Sequence, residues 1–172
     1  MRHEHNDQLA EEAERQSRAC NLVIHGLIES KSEDADTRIK HDDELVKSFI
    51  HDVELKVVHK NTFRLDKKLE TDEERKRPLK ITMNCEASKM AIMEKLRNLK
   101  GKDKYKRVSV TDDHTSNERQ LIKNMVEKLK EANGKEPADS QFVWKLRGTP
   151  KNGLGMKRFR KRNERQGLHP TH

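Results

Sequence analysis

The sequence predicts an α+β fold in two small units, on three observations. Apolar runs of strand length alternate with segments whose apolar residues recur at helical spacing. Through residue 112 the order is strand, helix, strand, strand, helix, strand. Beyond it come one capped helix and two short strands, the second of them strongly basic.

Residues 7–18 are almost wholly polar and rich in Glu, Gln, Ala and Arg, which predicts a helix with Leu9, Ala10 and Ala13 as a thin apolar stripe. So short a stripe cannot hold a coiled coil alone; it reads first as a solvated helical tail, and otherwise as the end of a longer coiled coil. Residues 21–28 are β-rich and read as one buried strand. An acidic, Ser-containing loop follows over 29–38. From Asp42 onward Leu45, Val46, Phe49, Ile50 and Val53 recur at helical spacing. Val57 and Val58 open a second strand running to Leu65, and residues 66–77 form a charged hairpin loop.

Leu79, Ile81 and Met83 alternate with polar residues as a half-buried strand should. Asn84 is placed to cap a helix carrying Met90, Ala91, Met93, Leu96 and Leu99, and Gly101 to stop it. Residues 108–111 make a fourth strand. This β-α-β-β-α-β order is the ferredoxin-like split arrangement, shared by RNA-recognition domains and many others. Thr115 and Glu118 then have capping-box spacing ahead of a helix with Leu121, Ile122, Met125, Val126 and Leu129 on one face. Asn133-Gly134 ends that helix. Residues 141–146 form a strand, 148–155 a Gly-rich turn, and 156–162 a returning basic strand.

Composition narrows the function. Apolar residues are 31% of the chain and charged residues 40%, and the mean hydropathy is -1.15, so any core is small. The net charge of +8 favours phosphate backbones or anionic surfaces as partners. No apolar run approaches the roughly 18 residues of a membrane span, and Met1 to His5 lack a signal peptide's apolar stretch. A cytoplasmic or nuclear protein is expected. Cys20 and Cys85 suit reduced thiols rather than a disulfide framework.

The densest chemical signal is the basic run from Lys151 to Arg165, with Phe159 inside it. Cations there would neutralise phosphates and release counterions, and Phe159 offers a surface for an unpaired base. Phe142 and Trp144 lie close by, although Trp144 suits the core better than a platform. The bland alternative is a solvated tail that only localises a protein-interaction scaffold. A second basic cluster runs from Lys95 to Arg107 around Tyr105, with binding and solvated readings equally open. Asp112-Asp113-His114 and His41-Asp42-Asp43 resemble metal ligands, but both stand at helix starts, where acidic residues favour the dipole. His25 is read as a partly exposed strand residue. No zinc spacing or phosphate-cradling loop is visible, so no enzyme, cofactor, metal or catalytic residue is expected.

Arg18 to Glu29, with Asn21, an apolar strand and Gly26, resembles the entry to the RNA-recognition domain in the first open-reading-frame protein of LINE-type (non-LTR) retrotransposons. Arg77-Pro78 is similar to that family's opening of the third strand, and Asp113-His114-Thr115 to the start of its C-terminal domain. Ile28 stands where the family usually has Pro, and little coiled coil precedes residue 18, as in a shortened copy. The resemblance spans residues 15–162. It implies a non-catalytic chaperone coating single-stranded RNA or DNA with low sequence specificity, in homotrimers formed by a longer N-terminal coiled coil. The family's basic residues carry over to Arg18, to Arg64, Arg75 and Arg77 of the central hairpin, and to Arg147, Lys157, Arg158, Arg160, Lys161 and Arg162. Arg18, Arg64, Arg77, Arg147, Arg158 and Arg160 are expected to line a cationic groove. The expected divisions are an N-terminal helix over 1–18, an RNA-recognition-like domain over 19–112, a basic C-terminal domain over 113–162 and a disordered tail over 163–172.

Overall fold

A computed structural model describes residues 2–67 and 76–161, which form a first unit ending at Asp113 and a second beginning at His114. The chain is mixed α+β, with a four-stranded antiparallel sheet and a separate two-stranded hairpin among the described residues. Arg75, Arg162 and the tail expected over 163–172 lie outside them.

The first unit starts with α1 (Arg2–Ser17), laced by pairs from Arg15 to Glu11 and Glu12 one turn away. β1 (Asn21–His25) is shorter than the apolar run predicts. Gly26 stops it at φ +87°, where an added Cβ would lie 2.3 Å from the Arg107 carbonyl oxygen. α2 (Ala35–Asp52) begins seven residues before Asp42, the expected start. The Asp34 carboxylate caps it by accepting the Thr37 N–H at 2.8 Å. Its first residues are exposed and polar apart from Ala35 and Ile39, so no apolar period announces them.

β2 (His59–Arg64) and β3 (Leu79–Met83) follow, and then α3 (Glu86–Lys95). Cys85, not Asn84, occupies the cap position of α3, with no side-chain cap bond. The Met83 N–H still pairs with Cys20 O, so the strand runs on and displaces the helix start by one residue. Leu96–Leu99 tighten into a 3-10 turn, and Gly101 follows at φ +91°. A second 3-10 turn, Asp103–Tyr105, leads to β4 (Ser109–Asp112).

The strand order is β2-β3-β1-β4, with Leu22 opposite both Ile81 and Asp112. Alternation puts Leu22, Ile24, Leu79, Ile81 and Met83 on one face, where Val46, Phe49 and Ile50 of α2 and Ile92 of α3 close the core. The Phe49 ring meets Tyr105 edge-on, with centroids 6.0 Å apart. Each such fully buried side chain contributes about 1.5–3 kcal/mol. The other face carries Asn21, Val23 and His25 of β1, Lys80 and Thr82 of β3, and Asn61 and Phe63 of β2.

The second unit holds α4 (Ser116–Gly134), β5 (Phe142–Arg147) and β6 (Gly155–Arg160). The capping box is present: Thr115 Oγ1 accepts the Glu118 N–H at 3.1 Å and the Glu118 carboxylate accepts the Thr115 N–H at 3.2 Å. Ile122, Met125, Val126 and Leu129 are half-buried along α4, and Leu121 is exposed.

Candidate nucleic-acid interface

In the hairpin, Val143 lies opposite Phe159, Lys145 opposite Lys157 and Arg147 opposite Gly155, so these residues share one face. Phe142, Trp144, Leu146, Met156, Arg158 and Arg160 share the other. The free edge of β5 is covered by the end of α4. Asn133 donates its amide to Trp144 O at 3.1 Å and accepts the Trp144 N–H at 2.8 Å, as a neighbouring strand would. Below it, Glu136 accepts the Trp144 indole N–H at 2.9 Å, two Arg158 N–H groups at 2.8 and 2.9 Å, and the Ser140 hydroxyl at 2.7 Å. The Arg158 bonds, followed by that of Ser140, pull the Glu136 carboxyl from 4.5 to about 2. Arg158 also stacks over Phe142 at 4.4 Å. The predicted binding residue Arg158 therefore serves first to fasten the hairpin to the loop after α4.

The opposite face is arranged differently. Lys145 and Lys157 are exposed, face each other directly, and have no acidic partner among the described residues. The Arg147 guanidinium lies 4.5 Å from the centre of the Phe159 ring and makes its one described hydrogen bond to the neighbouring Leu146 carbonyl. Lys161 is exposed just beyond β6, its backbone N–H held by Gln141 O. Arg160, on the face with Trp144, donates to the Gln141 side-chain oxygen. In the sequence Lys145 reads as an isolated charge in an apolar strand. Only the register places it against Lys157.

The first unit treats its predicted cations otherwise. The Arg64 side chain is 4% exposed. It donates to both Asp42 carboxylate oxygens and to the carbonyls of Leu27, Ile28 and Arg77. Arg77 chelates the Glu29 carboxylate and also donates to Asp66 O. Burial opposes ionisation of Glu29, but Arg77's hydrogen bonds and charge outweigh it and lower its pKa. Arg18 pairs with Glu14 and Asp113, each at 2.8 Å. Asp113 also accepts from Asn21 at 3.0 Å and Lys80 at 2.7 Å. Burial resists its ionisation, but the bonds from Lys80 and Asn21 and the charges of Lys80 and Arg18 prevail and hold its carboxyl below the usual range. A guanidinium with its donors so engaged leaves little for phosphate. Arg64 and Arg77 thus close the end of the sheet with their donors turned to Asp42, Glu29 and backbone carbonyls.

The open sheet face has one exposed aromatic, Phe63, with Lys80 Nζ 5.4 Å from its ring centre. His25 shares that face and approaches Thr111 Oγ1 at 3.5 Å. Among the described residues no three His, Cys, Asp or Glu side chains group to hold a metal, and no helix is long and apolar enough to cross a membrane. In comparisons with known proteins, no family model and no curated protein matches this sequence.

Proposed function

We propose that the chain binds single-stranded nucleic acid, RNA above all, through the face of the β5–β6 hairpin that carries Lys145, Arg147, Lys157 and Phe159, without catalysing a reaction. The carrying observation is the Lys145–Lys157 pair. Like charges directly opposite in a sheet are destabilising, and here no acid relieves them among the described residues. A polyanion relieves them. Phe159 adds a face for an unpaired base, worth about 1–3 kcal/mol per base, and Arg147 is already stacked there. Charge and stacking without base-edge readout give low sequence preference.

For the first unit we infer the ferredoxin-like, RNA-recognition-like arrangement, supported by its strand order and by both helices lying on one face. With it comes the relation to LINE-type first open-reading-frame proteins, in which such binding coats and chaperones the element's RNA.

Fluorescence anisotropy with a labelled oligouridylate tests the reading. Three to four phosphates contacted predict log affinity falling with log salt at a slope of about -2 to -3. Lys145→Ala with Lys157→Ala should make the slope shallower by about 1.4. Phe159→Ala should weaken binding about tenfold or more and leave the slope alone. Absence of binding at low salt, or variants that bind like the unaltered chain, would falsify it.

A further inference from the structure

The basic cluster before β4 finds a use in the geometry of the first unit. A groove of about 320 Å³ opens at the end of the sheet between the loop after β1 and the segment leading into β4. That is the small end of the range for ligand pockets, about 300–1,000 Å³. Its apolar lining comes from Leu27, Ile28, Leu45 and Val108, and Ile28 is 66% exposed. Around this lining stand Lys76, Lys106 and Arg107, all exposed and without an acidic partner among the described residues. Asp103 is the one acid in the lining. Lys104, also present, is already held by Ser48 Oγ at 2.6 Å. Gly26 lets the two walls meet, since its backbone packs where a Cβ would strike Arg107 O.

Exposed cations around an apolar patch, with no acidic partner among the described residues, match a ligand that is anionic on one side and apolar and flat on the other. We propose that this groove is a second nucleotide site, taking one phosphate on Lys106, Arg107 and Lys76 while a base or sugar covers Ile28 and Val108. It shares its ligand class with the hairpin but uses none of its residues. Each unit then holds its own segment of one strand. The second contact becomes intramolecular, so a strand long enough to reach both binds more tightly than either site alone. An acidic peptide fits the cations but covers Ile28 and Val108 only where an aromatic residue happens to stand beside its carboxylates, whereas every nucleotide joins a phosphate to a flat ring, which favours the nucleotide.

The test uses the full chain bearing Lys145→Ala, Lys157→Ala and Phe159→Ala, labelled with nitrogen-15 and titrated with pentauridylate. Amide signals of residues 26–28 and 103–108 should shift saturably. Adding Lys106→Ala and Arg107→Ala should abolish these shifts, while the remaining spectrum reports an intact fold. Shifts confined to other residues, shifts that survive those two substitutions, or equal shifts with inorganic phosphate would each overturn the assignment. Failure of the hairpin reading looks different. The triple variant would then bind a long oligouridylate as the unaltered chain does, whatever the groove signals show.

Discussion

Glu136 gathers the indole of Trp144, the guanidinium of Arg158 and the hydroxyl of Ser140 on one carboxylate. Its pKa in the folded chain, about 2, lies below the ordinary 4.5. The folded state therefore binds its proton less readily than the unfolded state. The resulting stabilisation is complete above pH 4.5 and disappears as the pH falls from there toward 2. Trp144 is the chain's one tryptophan, so its fluorescence reports the contact directly. An acid titration should show the emission change in that window, and Glu136→Gln should remove the transition. An unchanged acid profile in that variant would refute the assignment. Nothing in the sequence marks Glu136, which reads as a loop acid next to Pro137. Arg64 and Arg77 were equally opaque. Their partners, Asp42 and Glu29, lie 22 and 48 residues away, and such pairings are set by the sheet order, not by local pattern.

Elements were more legible where local chemistry decides them. The Thr115–Glu118 spacing announces the start of α4 because the two groups satisfy each other's backbone N–H within one turn. The alternation of Leu79, Ile81 and Met83 announces β3 because the helices cover one face of the sheet only. The first two turns of α2 escaped notice, since a capped polar helix start carries no apolar period, and Asp34 looks like one more acid in an acidic loop. Phe63 escaped as a surface aromatic for a similar reason: only the register with Lys80 turns it to the open face. Thr115 is fully buried, so its cap bond has no water to replace it. Thr115→Ala should destabilise the second unit by about 1 kcal/mol, at most about 2, while Thr115→Ser keeps the acceptor and most of the stability. Chemical denaturation followed by Trp144 emission measures both, and equal losses in the two variants would show that the methyl group, not the cap, matters.

At the scale of the whole molecule the two units differ in how they bury apolar surface. Every fully buried hydrophobic side chain among the described residues lies between Leu22 and Tyr105, in the first unit. The second unit has α4's half-buried stripe, the hairpin and the Glu136 contacts, and a unit this small buries too little surface to be robust alone. It also carries the Lys145–Lys157 repulsion, which no acid relieves among the described residues. Heating should therefore give two transitions, with Trp144 reporting the lower one and loss of sheet and helix circular dichroism completing at the higher. A nucleic acid that binds the hairpin binds its folded form, and at about 100 times its Kd it adds about 2.7 kcal/mol. In a unit of this size that raises the lower midpoint by on the order of 10 °C. The Lys145→Ala, Lys157→Ala variant should show the reverse pair of effects. Its lower midpoint should rise without ligand, because the repulsion is gone, and should respond less to oligouridylate. A single coincident transition would dispose of the two-stability argument. A lower midpoint indifferent to oligouridylate would separate the hairpin from binding altogether.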